Sequence, residues 1–213
     1  MMANKEFIVS YDEATDKIQT GDVLLFRAPP FPSIGWAITA YTRGKHSHVA
    51  LAYKQHGKVY CLEQREFKGG RMVFLKTQVD LNPGRIDVYR PKDEIISNVS
   101  EEENGEIFIK KSKIVFTPDV ANAIIDTGME LTGTEYGWKT IWNIFKGYAP
   151  FFRMVYKDKN GDDEIAKAYV CSTLVSYAYR TNFADPCPNI KDSRTTPADI
   201  AQSSLFDYLF TIE

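Results

Sequence analysis

Ala168-Tyr169-Val170-Cys171-Ser172-Thr173-Leu174-Val175-Ser176-Tyr177-Ala178-Tyr179 is the stretch whose reading decides the fold. A short apolar run leads into a segment where Cys171, Leu174, Val175 and Ala178 fall on one face at helical spacing. The pattern predicts an amphipathic helix over Cys171 to Tyr179 that opens on its cysteine. A thiol at a helix N-terminus sits among free backbone N–H groups and the positive end of the dipole, which favour the thiolate and make it a nucleophile. The competing reading is a buried cysteine acting as a small hydrophobe.

Upstream, Tyr11 to Gln19 reads as a short polar helix, ended by Gly21 before the apolar strand Val23 to Phe26 and the Pro29-Pro30 pair. Ile34 to Tyr41 is a helix candidate. His48 to Tyr53, Val59 to Gln64, Arg71 to Leu75 and Arg85 to Tyr89 are β-rich runs separated by Gly- and Pro-containing turns, which predicts an antiparallel meander. The acidic stretch Asp93 to Asn104, part of a polar region over 93–112, reads as a solvated excursion. Pro118-Asp119 opens a strong helix over Val120 to Leu131, with Gly133 just past its end. The class is α+β, with a small antiparallel sheet packed by helices, and 213 residues fit one domain over 1–213.

Composition removes several classes of function. Lys plus Arg number 26 against 28 Asp plus Glu, so a formal net charge of −2 supplies no general attraction for nucleic acid. Lys110, Lys111 and Lys113 make only one short basic cluster. No apolar run approaches the roughly 18 to 20 residues of a transmembrane helix, and no signal-like segment opens the chain. Three cysteines do not make a disulfide framework. The expectation is a cytoplasmic protein without a transmembrane segment or nucleic-acid partner, with release by lysis or within a phage particle left open.

His48 opens its strand, and Glu63 lies in the next one. Neighbouring antiparallel strands bring two such side chains together on one face, where a carboxylate fixes the tautomer and orientation of an imidazole. With Cys171 these residues supply a nucleophile, a base and an orienter. A strand-end histidine and a solvent-facing glutamate are the plain alternative. A zinc reading would gather His46, His48, Cys61 and Glu63, yet neither Cys-x-x-Cys nor His-x-x-x-His spacing is present.

These elements resemble, in rotated order, the NlpC-type papain-like cysteine peptidase superfamily. Leu131-Thr132-Gly133-Thr134-Glu135-Tyr136-Gly137-Trp138 resembles the family's Gly, Tyr and Trp signature, and Cys171-Ser172-Thr173-Leu174-Val175 its helix-opening Cys-Ser. Gly21-Asp22-Val23-Leu24-Leu25-Phe26 is similar to its Gly-Asp strand, His48-Val49-Ala50-Leu51-Ala52-Tyr53 to its His strand, and Val59-Tyr60-Cys61-Leu62-Glu63-Gln64 to the strand of its third polar residue. Because the Gly-Asp and His strands precede the Cys helix, the resemblance is to the circularly permuted branch, which includes the lecithin:retinol acyltransferase relatives. Thr196-Pro197-Ala198-Asp199-Ile200 and Phe206 to Phe210 resemble its closing segment.

The resemblance implies a permuted papain-like fold, a small sheet or barrel against helices, with Cys171 as nucleophile, His48 as base and Glu63 as orienter. It implies that Tyr136 and Ser172 help to position substrate or hold the oxyanion, with a core aromatic as the alternative for Tyr136. No cofactor or metal is implied. The substrate would be a small peptide, amide or acyl compound, cell-wall peptides of bacteria among them, and a non-catalytic virion or assembly module and a lipid or thioester acyl enzyme are the competing functions. Two departures stand out: the aromatic-rich insertion of about 137–168 before the cysteine, and Ala50 and Ala52 where the family often has Gly and another apolar residue.

Overall fold

Val23–Arg27 (β2) and His46–Gln55 (β3) carry nearly continuous apolar runs because both faces of their sheet are covered. The computed structural model describes residues 6–29, 34–65, 68–83, 85–103, 106–133, 135–136, 168–182 and 184–213. The remaining strands are Ile8–Val9 (β1), Lys58–Arg65 (β4), Gly69–Phe74 (β5), Ile86–Pro91 (β6), Glu94–Glu103 (β7), Glu106–Val115 (β8), Glu135–Tyr136 (β9), Ala168–Tyr169 (β10) and Phe206–Ile212 (β11). The helices are Tyr11–Lys17 (α1), Ile34–Thr42 (α2), Leu75–Leu81 (α3), Pro118–Glu130 (α4), Cys171–Thr181 (α5) and Pro197–Gln202 (α6), with a 3-10 turn at Asp192–Arg194.

The fold is α+β. Its main sheet runs β1-β11-β6-β2-β3-β4-β5 and is antiparallel except where β1 pairs parallel with β11. The expected small antiparallel sheet is therefore larger and mixed, because the two ends of the chain run side by side in one direction. On one face Val23, Leu25, Val49, Leu51 and Leu62 pack with Ile124 and Ile125 of α4 and Leu174, Val175, Ala178 and Tyr179 of α5. On the other face Leu24, Phe26, Ala50, Ala52 and Cys61 pack with Ala14 of α1 and Leu75 and Val79 of α3. Gly128 brings α4 onto the sheet: a Cβ there would lie 2.7 Å from Leu62 Cδ2.

Two expectations need correction. The meander holds through β3, β4 and β5, but the fourth run, β6, crosses the sheet to lie between β2 and β11. The strand expected over Arg71 to Leu75 ends at Phe74, and Leu75 opens α3, whose Leu75, Gln78 and Val79 are buried at helical spacing. Within the acidic stretch read as a solvated excursion, β7 pairs with β8 at ten positions from Glu94↔Val115 to Glu103↔Glu106, so the backbone groups of this segment satisfy one another. Smaller shifts are those of β3, which begins at His46, and of α1, which stops at Lys17 because Ile18 is extended.

Asp87 anchors the far end of the sheet. Its buried carboxylate accepts from Arg27 Nη2 at 2.8 Å, Thr211 Oγ1 at 2.6 Å and Lys45 Nζ at 3.0 Å, and contacts His46 Nε2 at 2.7 Å. Irregularities in register at Phe26/Arg27 and Tyr208/Phe210 accompany the convergence of β2, β3, β6 and β11 on this one group. Burial pushes the Asp87 carboxyl up, but hydrogen bonds from His46, Arg27, Thr211 and Lys45 outweigh it and hold the group well below the usual carboxylate range. Replacing one partner of a buried charge pair leaves the other uncompensated. Asp87→Asn is expected to lower unfolding free energy by about 3 kcal/mol, read as an earlier midpoint in urea unfolding at neutral pH.

Candidate functional site

The site begins with the ends of two elements. α5 opens at Cys171 with Val170 as an extended N-cap that offers no side-chain hydrogen bond, so first-turn amides are left without a capping oxygen from that residue. The helix is held by its own hydroxyls. Ser172 Oγ donates to Thr195 O, Thr173 Oγ1 to Asp192 O at 3.1 Å, and Ser176 Oγ to Asp192 Oδ1 at 2.6 Å. At its other end the buried Tyr179 hydroxyl donates to Gly21 O. The Gly21-Asp22 pair explains itself locally. Gly21 has φ +89°, and Asp22 accepts from Gln19 N at 2.8 Å and from Arg90 Nη2 at 2.7 Å.

β3 and β4 supply the other half. Glu63 lies opposite Ala50 in the ladder, which sets it diagonally across from His48, and His48 Nε2 meets Glu63 Oε2 at 2.7 Å. Both side chains are buried, and the Phe26 ring sits 5.0 Å from the imidazole. With Nε2 engaged, the remaining nitrogen of His48 is Nδ1, which is buried and lacks a hydrogen bond of standard geometry. Cys171 nevertheless lies close enough to act on this ring: burial disfavours the imidazolium, but the Cys171 charge and hydrogen bond, followed by Glu63, outweigh it and raise His48 to about 9. For Glu63, burial pushes upward, and the His48 hydrogen bond and charge with Arg65 and Arg71 outweigh it, bringing the group down to about 2.

The structure thus gathers Cys171, His48 and Glu63 at one place. Ser172 is buried beside them, with its hydroxyl engaged by the Thr195 carbonyl, so what it can offer a substrate is its backbone N–H. Tyr136 has its backbone in β9, opposite Tyr169 of β10 and so next to the residues that lead into Cys171. Its side chain lies outside the described residues, as does the aromatic segment 137–167. The four zinc candidates do not meet as a set: His46 turns to Asp87, and Cys61 is buried among apolar neighbours of the α1 and α3 face.

Two neighbours of Glu63 escaped the sequence reading. Arg71, directly opposite Glu63 in β5, donates to its Oε1 from Nη2 at 2.6 Å and Nε at 3.0 Å. Gln78 of α3 donates to the same oxygen at 3.2 Å. A cross-strand charge pair was a signal that could have found Arg71. Gln78 carries no comparable signal.

No family model matches the chain, and no curated protein matches it. Among solved structures it is similar to one described as metalloprotein YiiX from Escherichia coli O157:H7, DUF1105, with a TM-score of 0.57 at 13% identity, covering 91% of this chain and 97% of that one. At this identity the likeness is one of α+β fold.

Proposed function

We propose that the chain is a cysteine hydrolase of amidase or endopeptidase type on a circularly permuted papain-like domain, working through Cys171, His48 and Glu63. The observation that carries the reading is the buried His48, held by Glu63 through Nε2 and left with Nδ1 for the sulfur at the start of α5. His48 takes the proton of Cys171, and the thiolate attacks an amide or ester carbonyl. Backbone N–H groups at the start of α5 receive the developing oxyanion. The tetrahedral intermediate expels the amine or alcohol, which takes the proton from His48 and leaves a thioester on Cys171. Water, losing a proton to His48, then releases the acid and the free thiol. Small peptides of the cell-wall kind are the substrates this reading favours.

The solved neighbour is described as a metalloprotein. The two buried carboxylates beside His48 and His46 are already engaged: Glu63 by His48, Arg71 and Gln78, and Asp87 by Arg27, Lys45 and Thr211. Among the described residues no group of three His, Cys, Asp or Glu is placed to hold an ion. The guanidinium beside each carboxylate opposes a second positive charge, and no step here runs through a metal. Among the same residues, no helix is long and apolar enough to cross a membrane.

Two measurements test the reading. Incubation with purified muropeptides and, in parallel, with acyl thioesters is expected to show turnover of the first that His48→Ala lowers by about 10² to 10⁴-fold and Cys171→Ala abolishes. Turnover of thioesters alone would move the assignment to acyl transfer, and turnover of neither would favour a binding module. Independently, Cys171→Ala removes the chief group that holds the His48 proton. The imidazole midpoint, followed by ring-nitrogen NMR, is expected to fall from about 9 by at least about one pH unit. A midpoint that stays in place would uncouple the sulfur from the ring.

A further inference from the structure

Glu63 is the most enclosed group of the site, with no side-chain exposure, and its two oxygens are treated differently. Oε2 meets His48 Nε2, whereas Oε1 collects three donors: Arg71 Nε and Nη2 and Gln78 Nε2. We propose that Arg71, seconded by Gln78, is the positioning residue of this site, fixing the plane in which the Glu63 carboxylate presents an oxygen to His48 and limiting how firmly that carboxylate holds the imidazole proton. The inference rests on the reading of Cys171 and His48 as nucleophile and base.

The argument is geometric. A carboxylate rotated part-way about its terminal bond swings its oxygen out of line with the imidazole, and in a dry site its partners are what oppose the rotation. Arg71 comes from the strand pair directly opposite Glu63, with both donors on one oxygen, and Gln78 comes from α3 beneath. Gln78 Oε1 is itself buried without a hydrogen bond. An unpaired buried carbonyl is costly, so the amide is held with its NH2 toward Glu63 against its own best interest. Arg71 acts also as a charge. A carboxylate beside a guanidinium attracts an imidazolium less than a lone one does.

The titratable and charged groups facing the His48 and Glu63 pair are Cys61 and Arg65 of β4, Arg71 of β5 and Cys171 of α5, while α3 adds the neutral Gln78 and β2 the ring of Phe26. Arg65 stands farther off, 3.8 Å from Glu63 Oε2. Among the described residues, Arg71 is therefore the cation with direct hydrogen bonds to the carboxylate.

Ring-nitrogen NMR of His48 in the full chain reads both effects. Arg71→Met is expected to raise the imidazole midpoint by about one pH unit, a tenfold gain in proton affinity. Arg71→Lys, which keeps the charge, leaves it within about 0.3 units of the parent value, and Gln78→Leu raises it by at least about 0.3 units. A residue that served the fold alone would lower the melting temperature and leave the midpoint where it was; an unmoved or lowered midpoint in Arg71→Met overturns the proposal. Should that variant not fold, Gln78→Leu decides, and an unchanged midpoint there overturns it equally. The titration uses no substrate, so the two failures are told apart: absence of turnover counts against the hydrolase reading whatever the midpoint does, and an unmoved midpoint counts against Arg71 whatever the turnover.

Discussion

The contact between the buried Glu63 carboxylate and His48 imposes a demand that much of the surrounding structure meets. A carboxylate without solvent needs donors for its lone pairs and a compensating charge, or it takes up a proton. His48 on β3, Arg71 on β5 and Gln78 on α3 supply them, so three elements are tied to β4 through one side chain. The same solution recurs twice: Asp87 with Arg27, and Asp22 with Arg90, each acid buried and each guanidinium partly open to solvent. The three pairs are not electrostatically equal. Burial dominates at Asp22 and moves its carboxyl upward, whereas Glu63 and Asp87, with several donors each, move down.

A helix that opens on Cys171 without a side-chain cap makes the opposite demand. If first-turn amides are to meet a thiolate or an oxyanion, no side chain should cap them, so the helix must be secured elsewhere. Its Ser172, Thr173, Ser176 and Arg180 side chains bind the segment around Asp192, and Tyr179 binds the Gly21 carbonyl. The helix carrying the sulfur and the turn that starts β2 are thereby locked together across 158 residues of chain. Preorganisation of this sort fixes the start of the helix, and with it Cys171 beside His48, without a direct restraint on the sulfur itself.

How much of this was legible in the sequence differs from element to element. α5 and α4 announce themselves through helical spacing, and Pro118-Asp119 marks where α4 starts; its cap, Thr117, whose Oγ1 accepts from Val120 N, stands one residue before that mark. Cys171, His48 and Glu63 were nameable because a helix start and two adjacent strands restrict where side chains go. The place of β6 was not, since local turns say nothing about which edge a returning strand will join. α3 was hidden by its seven-residue length, too short for a periodic signal to separate from the strand before it. Gln78 was hidden with it. The hairpin β7-β8 was hidden by composition, because hydrogen bonding of backbone is indifferent to the charge of the side chains it carries.

His46 and His48 show why spacing alone could not assign the chemistry. They stand two residues apart on β3, both buried, each with Nε2 2.7 Å from a buried carboxylate that an arginine also contacts. Their proton affinities move in opposite directions. Burial lowers His46, its Asp87 contact does not make up the loss, and the charges of Lys45 and Arg27 lower it further. At His48 burial acts the same way, and the difference comes from Cys171, whose charge and hydrogen bond head the opposing causes. A carboxylate partner therefore orients both rings without deciding which way each one's proton affinity moves. The ring that faces an ionisable sulfur is prepared to carry a proton, and the ring set among cations is prepared to remain neutral and join strands.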